Sequence, residues 1–167
     1  MIKDKVKLSA IGYNLFLEAL TYCKEILEKS QIVHTRVFFP SKDKDEIYFI
    51  EQSKLIDELI SKFDLKNPFD NRNSEYFEFI KETALDIMRI KISQESPDYY
   101  LYLTQFEDNS INMIIRDPES FGITQVILKY VNHDFDVIKI ENIPSNPYTN
   151  PMCVLSSEKN VKIDLNN

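Results

Sequence analysis

The fold is decided by residues 99–141, YYLYLTQFEDNSINMIIRDPESFGITQVILKYVNHDFDVIKIE. Runs of six to eight residues rich in β-branched and aromatic side chains alternate here with short polar connections, which is typical of consecutive strands. Because a parallel crossover needs about a dozen residues or more, connections this short predict antiparallel neighbours in a meander. The predicted strands are Tyr99–Phe106, Ile111–Arg116, Thr124–Val131 and Phe135–Glu141.

Both faces of the first predicted strand are largely apolar. Side chains alternate between the two faces of a strand, so Tyr100 and Tyr102 point one way while Leu101 and Leu103 point the other. We expect helices to pack against one face of this curved sheet.

The residues before the sheet favour helices and one further hairpin. Apolar residues recur there at three- and four-residue steps, which is the pattern of a helix packed on a core. Pro40 ends a β-rich run, and a charged loop follows it. The predicted helices are Leu8–Lys29, Ser53–Phe63 and Ser74–Ile92, and the predicted hairpin strands are Ile32–Phe39 and Ile47–Ile50.

Length and composition indicate one domain. A chain of 167 residues with 43% hydrophobic content can bury a single core. We therefore predict a single α+β domain over residues 1–167, with a four- to six-stranded antiparallel curved sheet packed against about three helices. It comprises a helix-rich part (1–93), a sheet-rich part (94–141) and a proline-punctuated tail (142–167), in which Met152–Leu155 and Val161–Leu165 could form a last hairpin.

The sequence lacks the residues that are characteristic of several classes of function. Gly12 and Gly122 are the only glycines, so the glycine-rich phosphate loops of nucleotide-binding proteins are excluded. Cys23 and Cys153 are too few and too far apart to indicate a disulfide framework or a zinc site. No apolar run approaches the roughly 20 residues of a membrane helix, and no signal peptide is evident, so we expect a soluble cytoplasmic protein.

Two histidines, His34 and His133, limit the options for catalysis and metal binding. The sequence His133-Asp134-Phe135-Asp136 could in principle give a divalent cation three ligands. A polar turn at the start of a strand explains the same residues, and we favour that interpretation. We therefore predict no metal ion, no cofactor and no catalytic residue.

The acidity lies mainly in the sheet half. Residues 1–93 contain 15 Lys and Arg against 16 Asp and Glu, whereas residues 94–167 contain 5 against 11. Such a surface does not attract nucleic acid, whose phosphates need clusters of Lys and Arg. It would steer a basic protein partner instead.

Two functions remain. The first is a non-catalytic acidic module that binds and neutralises or escorts a basic partner protein, as immunity proteins, antitoxins and phage-encoded inhibitors do. The second is a small-molecule pocket protein or small enzyme, because the order of elements has a general similarity to the cone-shaped NTF2-like folds. Its cavity would be lined by Tyr100, Tyr102, Phe106 and Tyr130. The candidate partner-binding residues of the first function are the acids Glu107, Asp108, Asp117, Glu119, Asp134 and Asp136 and the aromatic residues Tyr99 and Phe121.

Overall fold

A computed structural model describes residues 5–62, 75–143 and 161–162. In this part of the chain, three helices accompany an antiparallel sheet. The helices are α1 (Ala10–Glu28), α2 (Gln52–Lys62) and α3 (Glu75–Glu95). The strands are β1 (Arg36–Pro40), β2 (Ile47–Glu51), β3 (Tyr100–Phe106), β4 (Ile111–Asp117), β5 (Gly122–Val131), β6 (Asp134–Ile143) and the short β7 (Val161–Lys162).

The sheet is a curved, unclosed meander with strand order β2-β1-β3-β4-β5-β6. Each strand is antiparallel to its neighbours, and β7 pairs with Gln105 and Phe106 at the end of β3. The register between β5 and β6 shifts at Ile127 and Leu128. The predicted α+β fold with a curved antiparallel sheet is confirmed.

Helices cover both faces of the sheet, so the expectation that they would cover one face was wrong. On one face α1 packs through Leu15, Phe16 and neighbouring residues against Leu101 and Met113. On the opposite face α2 and α3 pack through residues such as Ile56 and Met88 against Tyr102 and Ile114. The physical reason is the apolar character of both faces of β3 and β4, since each face must be buried against another layer.

The first turn of α1 is fixed by two hydrogen bonds. The Ser9 hydroxyl oxygen accepts a bond from the Gly12 N–H at 3.2 Å and so acts as the N-cap. The Ser9 N–H donates to Oδ2 of Asp117, at the end of β4, at 2.7 Å. The start of the helix is thereby attached to the central sheet.

The predicted strand Ile32–Phe39 begins only at Arg36. Before Arg36, side-chain oxygens and not a neighbouring strand accept the hydrogen bonds of two backbone N–H groups. Gln105 Oε1 accepts a hydrogen bond from the Val33 N–H at 3.0 Å, and the Tyr22 hydroxyl accepts one from the His34 N–H at 3.1 Å.

The remaining helix and tail predictions are tested only in part. Helix α3 extends to Glu95, beyond the predicted end at Ile92. Ser74 and the predicted tail segment Met152–Leu155 lie outside the described residues. Among the described helices, none is long and apolar enough to cross a membrane.

Candidate functional site

The predicted partner-binding residues occupy two opposite ends of the sheet, because successive turns of a meander lie at alternate ends. One end, called the hairpin end, is formed by the β3–β4 turn (107–110), the β5–β6 turn (132–133) and the last residues of α1. The other end, called the helix-start end, is formed by the β1–β2 turn, the β4–β5 turn, the start of β3 and the first turn of α1. The hairpin end holds Glu107, Asp108, Asp134 and Asp136, and the helix-start end holds Tyr99, Asp117, Glu119 and Phe121.

The Asp108 carboxylate is held by hydrogen bonds within the β3–β4 turn. Its carboxylate accepts hydrogen bonds from the Ser110 hydroxyl at 2.5 Å and from the Ser110 N–H at 3.0 Å. These two bonds lower the pKa of Asp108, so its carboxylate is charged at neutral pH.

Glu28, at the end of α1, is a further acidic residue of the hairpin end that sequence reasoning missed. Its carboxylate accepts a hydrogen bond from the Tyr130 hydroxyl and lies 3.0 Å from His133 Nδ1. The bonds from Tyr130 and His133 lower the pKa of Glu28. Glu28 is separated from Tyr130 by more than 100 residues, so no local pattern in the sequence could have shown the contact.

The β5–β6 hairpin presents its acids on one face. Asp134 lies opposite Val131 and Asp136 lies opposite Lys129, so these four side chains project from the same side. The opposite face is apolar, since the tilted rings of Tyr130 and Phe135 pack together at a centroid distance of 5.0 Å. Asp134, Asp136 and Val131 are exposed, with Val131 at 41%.

His133 does not converge with its neighbouring acids. Its side chain is 82% exposed, and its carboxylate neighbour is Glu28 from α1. Within residues 5–62 and 77–143, no group of three His, Cys, Asp or Glu side chains is arranged to hold a metal ion.

Asp117 is not available to a partner, which corrects its assignment as a partner-binding residue. Its side chain is fully buried and accepts the Ser9 N–H described above. The sequence places Asp117 directly after the predicted strand Ile111–Arg116, which suggested an exposed loop. In the structure Asp117 is the last residue of β4 and lies beneath the start of α1.

Tyr99 is also buried, with 6% of its surface exposed, so it is not an exposed aromatic anchor. Its hydroxyl donates a hydrogen bond to Glu119 at 2.6 Å, and this bond raises the pKa of Tyr99 to about 12. Glu119 and Phe121 remain exposed at the helix-start end, with Phe121 at 49%.

The cavity expected for a pocket protein is not assembled from the predicted residues. Tyr100, Tyr102 and Phe106 belong to the face covered by α2 and α3, whereas Tyr130 packs on the α1 face. These side chains are thus separated by the sheet itself. A cleft of about 640 Å³ does exist at the helix-start end, and neither His34 nor His133 lines it.

A group of ionisable side chains from α1, β1 and β2 surrounds Arg36. Its guanidinium lies 3.6 Å from the ring centroid of Tyr22 and 3.9 Å from that of Phe49, and its Nε donates to Glu51 at 2.5 Å. Burial raises the pKa of Tyr22 to about 12 and also raises the pKa of the Cys23 thiol. Neither group is therefore a nucleophile at neutral pH, and the cluster stabilises the contact of α1 with β1 and β2.

Comparisons of the chain with models of known protein families, with curated proteins and with solved structures find no match. The function is therefore inferred from the chain's own residues.

Proposed function

We propose that this protein is a non-catalytic module that binds a basic protein through its hairpin end and neutralises or escorts it in the cytoplasm. Immunity proteins, antitoxins and phage-encoded inhibitors act in this way. The observation that carries the proposal is that five exposed carboxylates, those of Glu28, Glu107, Asp108, Asp134 and Asp136, belong to the same end of the sheet.

The spacing of the two turns supports a shared electrostatic field. Neighbouring strands are about 4.8 Å apart, so the β3–β4 and β5–β6 turns are separated by about 10 Å. The screening length is about 8 Å at physiological ionic strength but about 30 Å at about 0.01 M, so carboxylates on the two turns act together on an approaching cation mainly at low salt. Their mutual repulsion is relieved when a cationic surface binds, which favours association.

The chemistry of the end suits a protein partner. All five carboxylates are exposed, and the lowered pKa values of Glu28 and Asp108 keep those two charged. Val131, exposed beside Asp134, offers an apolar contact on a face that carries two acids and one opposing charge, Lys129. Apolar centres surrounded by polar groups are typical of protein interfaces.

The test is affinity capture from the native host, followed by association kinetics of the retained basic protein across a salt series. The variant Asp134→Asn/Asp136→Asn removes two charges of the hairpin end and keeps the side-chain oxygen that accepts the Phe135 N–H. The control Asp57→Asn/Glu58→Gln removes two exposed charges from α2. We expect the first variant to slow association by about 3- to 10-fold at low salt and the control to leave it unchanged.

The proposal fails if no basic protein is retained. It also fails if the partner's association rate does not depend on salt, or if both variants slow association equally, because the hairpin end then has no special role.

A further inference from the structure

The cleft at the helix-start end lies between the β1–β2 turn and the segment that connects α3 to β3. Its volume of about 640 Å³ is within the range of about 300–1,000 Å³ that is common for small-ligand sites. Aromatic side chains line it: Phe39 and Tyr99 are buried, and Tyr48 is 49% exposed. The cleft therefore offers apolar surface to the body of a ligand.

Opposite charges line the two walls of this cleft. Lys42 and Lys44 belong to the β1–β2 turn, whereas Glu95 and Asp98 belong to the end of α3 and the connection that follows it. Among the described residues, Lys42, Glu95 and Asp98 take part in no salt bridge. Cations and carboxylates thus line the same space, and one further carboxylate, that of Asp43, lies between the two lysines.

Lys44 shows that the cleft accommodates an ammonium group. Its Nζ atom lies 5.3 Å from the ring centroid of Tyr99, within the range of a cation–π contact. Lys44 and Ser96 have left-handed backbone conformations, with φ of 65° and 47°. One such residue lies in each of the two segments that form the walls of the cleft, the β1–β2 turn and the connection from α3 to β3.

We propose that this cleft binds a small zwitterion, a free amino acid or short peptide with one ammonium and one carboxylate group. The ammonium would lie near Glu95 and Asp98, the carboxylate near Lys42 and Lys44, and the apolar body against the aromatic residues. This site is separate from the hairpin end, and the inference does not depend on the proposed partner.

A ligand with one kind of charge fits less well. An anion would be repelled by Glu95 and Asp98, and a cation would be repelled by Lys42 and Lys44. The remaining charged group of the lining, Asp43, already accepts hydrogen bonds from the Ser41 hydroxyl at 2.5 Å and from the Asp45 N–H at 3.3 Å. A zwitterion satisfies both walls at once.

The test is a titration of the ¹⁵N-labelled protein followed by NMR, with leucine and the dipeptide Leu-Leu as probes. N-acetyl-Leu-Leu lacks the ammonium, and Leu-Leu amide lacks the carboxylate. We expect saturable shifts of the Lys44, Ser96 and Tyr99 amides with at least one zwitterion at concentrations up to about 10 mM. We expect weaker binding of both blocked dipeptides.

Matched charge variants assign the two walls. Glu95→Gln and Lys42→Gln should each weaken binding by about 2- to 5-fold, as expected for exposed ion pairs. The controls Glu58→Gln on α2 and Lys24→Gln on α1 remove the same charges from exposed positions outside the cleft and should have no effect. The proposal is overturned if neither zwitterion gives saturable shifts, if the blocked dipeptides bind as well as Leu-Leu, or if Glu95→Gln and Lys42→Gln both leave the affinity unchanged.

Discussion

A Cβ atom at Gly12 would lie 2.5 Å from Oδ2 of Asp117. That carboxylate is buried and accepts the Ser9 N–H, so it cannot move aside without losing the hydrogen bond that attaches α1 to β4. The close approach explains a glycine in the first turn of a helix, where helix propensity alone favours Ala by about 1 kcal/mol.

We therefore predict that Gly12→Ala lowers the free energy of unfolding by about 1–3 kcal/mol, as other overpacked sites do. Urea denaturation measures the change. In an Asp117→Ser background the oxygen at 2.5 Å is absent and only contacts of 3.1–3.2 Å remain, so the same substitution should cost clearly less. An equal loss in both backgrounds would show that the contact with Asp117 is not the cause.

Arg36 and Glu51 form a largely buried ion pair, with side chains 15% and 6% exposed. Removing one partner leaves the other charge buried, so Arg36→Met should cost about 3–5 kcal/mol of stability. The double variant Arg36→Met/Glu51→Met should be more stable than Arg36→Met alone, because it leaves no buried charge without its partner. Urea denaturation of the two variants decides the point, and a double variant that is less stable than Arg36→Met would refute it.

Glu51 also predicts how stability depends on pH. Burial is the largest single influence and raises the pKa of this carboxyl group, but the hydrogen bonds from Ser53 and Arg36 together with the nearby positive charge of Arg36 outweigh it, and the net pKa lies below its ordinary value of 4.5. A carboxyl group with a lowered pKa stabilises the fold above its unfolded value, and this stabilisation is lost as the pH falls through the folded value.

The wild-type free energy of unfolding should therefore fall more steeply than that of Glu51→Gln between about pH 5 and about pH 3. Glu28 and Asp108, whose pKa values are also lowered, are present in both proteins and cancel in the comparison. Parallel stability curves for the two proteins would contradict the prediction.

Two buried threonines in the sheet differ in hydrogen bonding. The Thr104 hydroxyl is fully buried and has no partner among the described residues, whereas the Thr124 hydroxyl donates to Asn142 Oδ1 at 3.1 Å. Thr104→Val should therefore be neutral or stabilise the protein by up to about 1 kcal/mol. Thr124→Val serves as the matched control and should cost about 0.5–1.5 kcal/mol. Thermal denaturation of both variants distinguishes them, and equal losses would contradict the argument.

Local patterns were sufficient to predict the four strands of residues 99–141 and most helix boundaries, whereas the predicted strand Ile32–Phe39 begins only at Arg36. The two-residue alternation in β3 and the polar connections after it act over a few residues, which is the range that a single sequence shows directly. The same alternation does not say which helix covers which face. The expectation that helices would cover one face was wrong for a different reason: both faces of β3 are apolar, as Tyr102 and Leu103 show, and each needs a layer to bury it.

The candidate site was less predictable, because it depends on contacts between distant parts of the chain. Composition identified the acidic half, but it could not show that Asp117 lies beneath α1 or that Glu28 reaches the hairpin end. The stacking of Arg36 between Tyr22 and Phe49 joins α1, β1 and β2 in the same way.

The bond between Ser9 and Asp117 spans 108 residues and has a consequence for synthesis. At about 5–20 residues per second, the ribosome produces Asp117 roughly 5–20 s after Ser9. Most of a helix's stability in a protein comes from packing of its apolar face, and the apolar face of α1 packs against residues of β1, β3 and β4. The apolar face of α1 therefore stays partly unburied until the central strands emerge, so a helix that is made before the sheet gains its final contacts late.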